Sequence, residues 1–197
     1  MIKKTNKEGG LKMVKRLDFF LILLTILALA LFVTGCKQTD DNDLDDNNLP
    51  IPSETTDLEV SLYFSDDQAM YLIPEQRSIT IKGETTDEKI ITSIVEELIK
   101  GPENQTLIPT IPPESKLLGV KINNHLAEIN FSEELKTKHW GGSTGELMTI
   151  NSLVNSVTEL ENIEEVLLLI EGEVNESLIG HLYTKEPFAR DERVIKK

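Results

Sequence analysis

Residues 85–102 read TTDEKIITSIVEELIKGP. Ile90, Ile91, Ile94, Val95, Leu98 and Ile99 recur at helical spacing. They form a wide apolar stripe that is satisfied only by packing against other structure. Thr85 with Glu88 three residues on has the form of a capping box at the start. Gly101-Pro102 is a helix stop, since glycine takes a left-handed cap and proline cannot continue the helix. A helix with one such face, in a chain with strand patterns on either side, points to helices packed on a sheet.

Upstream, Val60–Phe64 reads as a short strand, followed by a loop at Ser65-Asp66-Asp67. Tyr71-Leu72-Ile73 reads as a second strand stopped by Pro74. Ser78–Lys82 alternates cleanly and ends at Gly83, a third strand. Downstream, a polar proline-rich connection runs to Pro113. Leu117–Ile122 and His125–Phe131 flank Asn123-Asn124 as a hairpin, because asparagine tolerates the positive φ of a tight turn. A second helix follows Gly141-Gly142, with Ser143 and Glu146 placed as another capping box. Its apolar positions are Leu147, Ile150, Val154 and Val157, with Leu153 and Leu160 beside them. Val166–Ile170 is a continuous aliphatic run, the pattern of a central strand buried on both faces. The expected fold class is α+β, a two-layer sandwich in which a mixed sheet carries two helices on one face in the order β-β-β-α-β-β-α-β.

The first third of the chain has a different character. Phe19–Val33 is uncharged and apolar, preceded by Lys12, Lys15 and Arg16. That is the form of a secretory signal peptide, and it is short of the roughly 20 residues a membrane span needs. Val33-Thr34-Gly35-Cys36 resembles the bacterial lipobox, in which small residues precede a cysteine whose thiol forms the thioether to lipid. Cys36 is the expected lipid-attachment residue, and two acyl chains suffice for stable anchoring. It is the chain's one cysteine, so disulfides are not expected in the mature domain. Lys7-Glu8-Gly9-Gly10 can be encoded by a purine-rich run resembling a ribosome-binding site, which points to initiation at Met13. Residues 37–57, KQTDDNDLDDNNLPIPSETTD, offer almost nothing to bury and read as a disordered acidic tether. The expected organisation is 1–35 signal peptide, 36–57 tether, 58–184 globular domain and 185–197 charged C-terminal tail.

The 197 residues carry a formal charge of −14. Six basic and two acidic residues in 1–35 leave −18 on the rest of the chain. Such a body is repelled by phosphate backbones, so nucleic acid is not an expected partner. Aspartates at 41–45 superficially resemble a calcium loop but lack its glycine and distal glutamate. His125, His139 and His181 show no zinc-ligand spacing, so no metal and no cofactor are expected. Gly141-Gly142-Ser143-Thr144-Gly145 opens a helix but lacks the P-loop lysine, which favours a tight turn over anion binding. Glu133, Glu134 and Glu146 are the acids that an acid–base pair would draw on, but no nucleophile motif accompanies them. Trp140 beside Gly141-Gly142 either projects from the loop to contact a partner or a sugar ring, or plugs the edge of the core.

From about Leu58 to Gly180 the chain resembles the GerMN domain family. The matching stretches are Leu62-Tyr63-Phe64, Pro74-Glu75-Gln76-Arg77, Glu97–Pro102, Ile111-Pro112, Ala127–Ser132, Glu146–Ser156 and Leu169–Glu173. Ser156 stands where the family usually has threonine after asparagine. The resemblance implies an extracytoplasmic lipoprotein domain of Gram-positive bacteria, without known enzymatic activity, similar to ring-building modules of secretion and sporulation complexes. It therefore implies a non-enzymatic assembly domain acting in sporulation or germination. The expected partners are the membrane, through lipid on Cys36, and a protein of a sporulation or envelope complex, with peptidoglycan as the alternative. The expected contact surface is a sheet edge or the loop of Trp140, Gly141 and Gly142.

Overall fold

The computed structural model of the protein describes residues 54–197. Cys36, the signal segment and the tether up to Ser53 lie outside the described residues. Two long antiparallel strands come first, β1 (Thr55–Ser65) and β2 (Leu72–Lys82). Helix α1 (Asp87–Lys100) follows, then the hairpin of β3 (Leu117–Asn123) and β4 (Leu126–Phe131). A single turn, α2 (Glu134–Thr137), precedes α3 (Gly142–Val157), β5 (Glu165–Ile170), β6 (Phe188–Ala189) and a 3₁₀ turn at Glu192–Val194. β1 and β2 form one sheet, and β3-β4-β5-β6 form a second. β4 and β5 are parallel, and the other pairs are antiparallel.

The result is an α+β sandwich with one main core and a small second cluster of Tyr63, Leu72 and Met148. α1 and α3 pack on each other; α1 also touches β1, β2 and β3, and α3 touches β1, β5 and β6. Both sheets thus share the same helix pair, which corrects the expected single sheet. Leu62, Phe64, Ile79 and Ile81 from the hairpin join Ile91, Ile94 and Leu98 of α1 in this core. Ala127, Ile129 and Phe131 of β4 and Val166, Leu168 and Ile170 of β5 complete it. Each fully buried aliphatic side chain contributes about 1.5–3 kcal/mol of transfer free energy.

Tyr71–Ile73 and Ser78–Lys82 are not two strands, since β2 runs through Pro74. Proline is tolerated there because Pro74 faces Tyr63, whose N–H points away from β2 to the Ser156 hydroxyl. That makes the pair non-hydrogen-bonded, so the missing N–H of proline costs no ladder bond. Thr55, Thr56 and Asp57 pair with Lys82, Ile81 and Thr80, so they belong to β1 and not to the tether.

Thr86, not Thr85, caps α1, its hydroxyl accepting from Lys89 N–H. Lys89 then holds the third helical position, and Glu88 makes no capping box. The stop at Gly101 is as expected, with φ at +86°. β5 is well covered on one face, but Leu167 and Leu169 on the other are only half-buried. Residues 185–197, the charged tail, dock on the domain. Phe188–Ala189 pairs with β5, and Arg190 donates to the Asn155 carbonyl (2.8 Å) and the Tyr63 hydroxyl (2.8 Å).

Candidate functional site

Helix α3 is buried nearly all round. Such a helix must satisfy its polar side chains internally, and here they hold the irregular segments around it. Glu146 is completely buried. Its Oε1 accepts the N–H groups of Leu178 and Ile179 (3.0 Å each), and its Oε2 accepts those of His181 (3.0 Å) and Leu182 (3.3 Å). One carboxylate thus ties down a loop without regular structure. Ser152 Oγ donates to the Tyr63 carbonyl (2.5 Å) and bonds Thr110 Oγ1 (2.6 Å). Asn155 bonds both ways with the backbone of Asp191, giving 3.1 Å to its carbonyl and taking 3.0 Å from its N–H.

The same helix positions the loop before it. Gly141 (φ +94°) and Gly142 (φ +57°) make the left-handed turn into α3. A Cβ on Gly145 would lie 2.4 Å from the Trp140 carbonyl oxygen, so the loop crosses the helix where only glycine fits. Thr149 Oγ1 donates to the Thr110 carbonyl (2.5 Å), so its bond to His139 Nε2 (2.9 Å) must be donated by the imidazole. Burial lowers the His139 pKa, against weaker opposing effects of Glu146 and the Trp140 backbone. The neutral ring, with its proton on Nε2, stacks at 6.2 Å on Trp140.

Trp140 is 42% exposed. Its neighbours form a groove with Ile108 and Pro109 on one side, Ala69 on another, and Met148 and Gly145 of α3 as lining. Ile108, also 42% exposed, is held by a reciprocal backbone pair with Ser65 (3.2 and 2.8 Å). The groove measures about 160 Å³, below the roughly 300–1,000 Å³ of ligand pockets. It suits the side chain of a docked macromolecule better than a small molecule.

Trp140, Gly141 and Gly142 therefore come together as one loop, with Trp140 presented and the glycines shaping the turn. Ser143 lies inside the helix instead of capping it, because Gly141 holds the cap position without a side-chain bond. Glu146 is displaced inward for the same reason. The carboxylates proposed as an acid–base set do not assemble: Glu146 is sealed in the core, whereas Glu133 is exposed at the start of α2. Ile108, Ala69 and Met148 were not singled out by sequence. The one available signal is the apolar pair Leu107-Ile108 inside a proline-rich connection.

The family motifs outside α3 also serve packing. Arg77, 8% exposed, donates to Glu97 Oε2 (2.6 Å), Glu75 Oε1 (2.5 Å) and the Gly101 carbonyl (3.3 Å). Glu75 in turn accepts the N–H groups of Glu103 and Asn104 (3.1 and 2.9 Å). This cluster fastens β2 to the end of α1. Among the described residues, no three His, Cys, Asp or Glu side chains are grouped to hold a metal. No helix among them is long and apolar enough to cross a membrane.

The profile of the Germane family, described as sporulation and spore germination, matches residues 61–176. No curated protein matches the chain. Among solved structures, a candidate lipoprotein of Clostridium perfringens is 28% identical, with a TM-score of 0.49 over 68% of this chain and 87% of that one. The tandem GerMN domains of the sporulation protein GerM from Bacillus subtilis are 21% identical, with a TM-score of 0.49 over 72% of this chain. The chain spans 46% of that tandem protein. The first GerMN domain of the same protein is 18% identical, with a TM-score of 0.48 over 68% of this chain and 96% of that one.

Proposed function

The chain belongs to the Germane family of sporulation and spore germination proteins, and from that premise we propose that it is a non-enzymatic assembly domain, anchored by lipid on Cys36 at the outer face of the cell membrane. The observation that carries the assembly reading is Trp140. A large aromatic held 42% exposed by a stacked, half-buried histidine, beside an apolar groove, has the form of a contact residue. The polar residues of α3 support the reading, because they are bonded to the protein's own backbone and serve the fold. The charge asymmetry supports the anchor: a basic leader precedes the cysteine and an acidic body follows it. The partner is a protein of a sporulation or envelope complex.

The test is in vivo crosslinking of the full-length protein from sporulating and from growing cells of a spore-forming host. The reading expects membrane attachment that Cys36→Ala abolishes. It also expects crosslinks to sporulation-membrane proteins that Trp140→Ala removes while leaving membrane attachment intact. Crosslinks confined to cell-wall material in growing cells would replace the assembly role with a wall-binding one.

A further inference from the structure

The outer edge of β2 is open over its centre. Tyr63 and Pro74 form a non-hydrogen-bonded pair, because the Tyr63 N–H leaves the hairpin for Ser156 Oγ. Antiparallel alternation then turns the backbone groups of Leu72, Gln76, Ser78, Thr80 and Lys82 away from β1 as well. Two bonds agree with this. Lys196 N–H donates to the Leu72 carbonyl (2.9 Å), and Lys89 Nζ donates to the Lys82 carbonyl (3.1 Å). The two ends of the edge are thereby occupied, and Pro74 has no N–H to offer.

Gln76, Ser78 and Thr80 remain between them. No bond to their outward N–H or C=O groups occurs among the described residues, and all three side chains are exposed. The sheet ends at β2. Such an edge is a template for one further strand.

Charge selects the occupant. On the exposed face of the hairpin, Ser78 stands opposite Glu59 and Thr80 opposite Asp57. A strand added to β2 would lie about 10 Å from β1, two strand spacings away. Only the short side chains of Ser78 and Thr80 would intervene. A lysine or arginine placed opposite them can extend across to Glu59 and Asp57. Asp57 uses Oδ1 for the Thr80 hydroxyl (2.7 Å), which leaves its other oxygen to accept. An acidic segment, or a second copy of this −14 chain, would be repelled.

We propose that the β2 edge from Gln76 to Thr80 receives an extended segment of a partner protein carrying lysine or arginine at alternate positions. Backbone bonds to Gln76, Ser78 and Thr80 supply the pairing, and Asp57 and Glu59 supply the preference for cations. This surface is separate from the Trp140 groove and does not rest on it.

The test uses full-length protein in neutral detergent and the peptide acetyl-(Thr-Lys)4-amide, with acetyl-(Thr-Glu)4-amide as its counterpart. Binding by the lysine peptide should slow hydrogen exchange across residues 76–80. Ser78→Pro, which removes an outward N–H and no bond to β1, should weaken binding by about tenfold or more, roughly 1.4 kcal/mol. Ser78→Lys keeps the N–H but sets like charge against the peptide, and should weaken binding even if the proline variant fails to fold. Asp57→Asn with Glu59→Gln should flatten the salt dependence. Equal binding of the glutamate peptide, unchanged exchange at 76–80, or self-association through β2 would each overturn the proposal.

Discussion

Tyr63 of β1 donates its backbone N–H to the Ser156 hydroxyl of α3 at 3.0 Å, 93 residues away in sequence. The bond closes the buried edge of the hairpin against the helix and explains why position 156 needs a hydroxyl. Ser156 Oγ also donates to the Ser152 carbonyl (2.7 Å), so a single group serves strand and helix together. Ser156→Ala should leave the Tyr63 N–H buried without a partner, at a cost of about 1–3 kcal/mol. Denaturant unfolding of the variant measures it directly. A loss below about 0.5 kcal/mol would mean that the strand edge finds another acceptor.

Glu146 carries more. Replacing it with glutamine keeps the volume but leaves one oxygen for four N–H donors and turns an NH₂ group toward two of them. Each buried N–H left facing the NH₂ group without an acceptor costs about 1–3 kcal/mol. Glu146→Gln should be among the most destabilising single changes in the protein. The loss should be local first, with hydrogen exchange rising at Leu178, Ile179, His181 and Leu182. Retained protection at those amides would show that the loop holds without the carboxylate.

These two residues also mark where the sequence stopped being legible. Periodicity was sufficient for α1, the β3–β4 hairpin and the existence of α3, because each has an apolar face with a fixed repeat. The apolar positions of α3 do not show how completely it is buried, since polar as well as apolar side chains cover it all round. The Ser143–Glu146 spacing has the form of a capping box, but Gly141 takes the cap and places Glu146 two residues further into the helix. Pro74 read as a strand end because sequence does not say which residues of a strand face its partner. The exposure of Trp140 was open for a related reason. It depends on Gly145 admitting the loop backbone to within van der Waals contact of α3, a contact distant from any local pattern.

Gly145→Ala tests that contact. The new Cβ would sit 2.4 Å from the Trp140 carbonyl oxygen, a backbone atom that can move only with the whole loop. The expected result is displacement of Trp140, seen as altered tryptophan fluorescence, and destabilisation of about 1–3 kcal/mol. Gly141→Ala should cost about 1–2 kcal/mol from its left-handed conformation. Normal fluorescence and stability in Gly145→Ala would show that the loop can shift at no cost.

The acid side of the stability curve should carry a mark of His139. Burial lowers its pKa from the ordinary 6.5, so just below that pH the unfolded chain binds more protons than the folded one. The stabilisation is therefore present above about pH 6.5 and lost as the pH falls, with a slope no steeper than about 1.4 kcal/mol per pH unit for one proton. His139→Gln should flatten this segment. Glu75 and Glu97 act lower. Burial alone would raise their pKa values, but Arg77 bonds both, Lys100 bonds Glu97, and the amides of Glu103 and Asn104 bond Glu75, so both lie below 4.5. Their contribution is present above that pH and is lost in stronger acid. A stability curve with the same slope between pH 6.5 and 5 in wild type and His139→Gln would remove His139 from this account.

Trp140→Ala separates contact from fold. The ring is 42% exposed and packs against His139 and the groove wall, so truncation removes only part of a buried surface. The expected stability change is about 1–2 kcal/mol, well short of the 3–5 kcal/mol of a core aromatic. Loss of the partner crosslink should be large by comparison, because an exposed aromatic anchor contributes most where its partner covers it. Trp140→Phe, which keeps the apolar face, should recover part of the crosslink. A variant that stays folded and keeps its full crosslink would move the contact surface elsewhere on the domain, whereas a variant that unfolds would make Trp140 a packing residue whose exposure serves no partner.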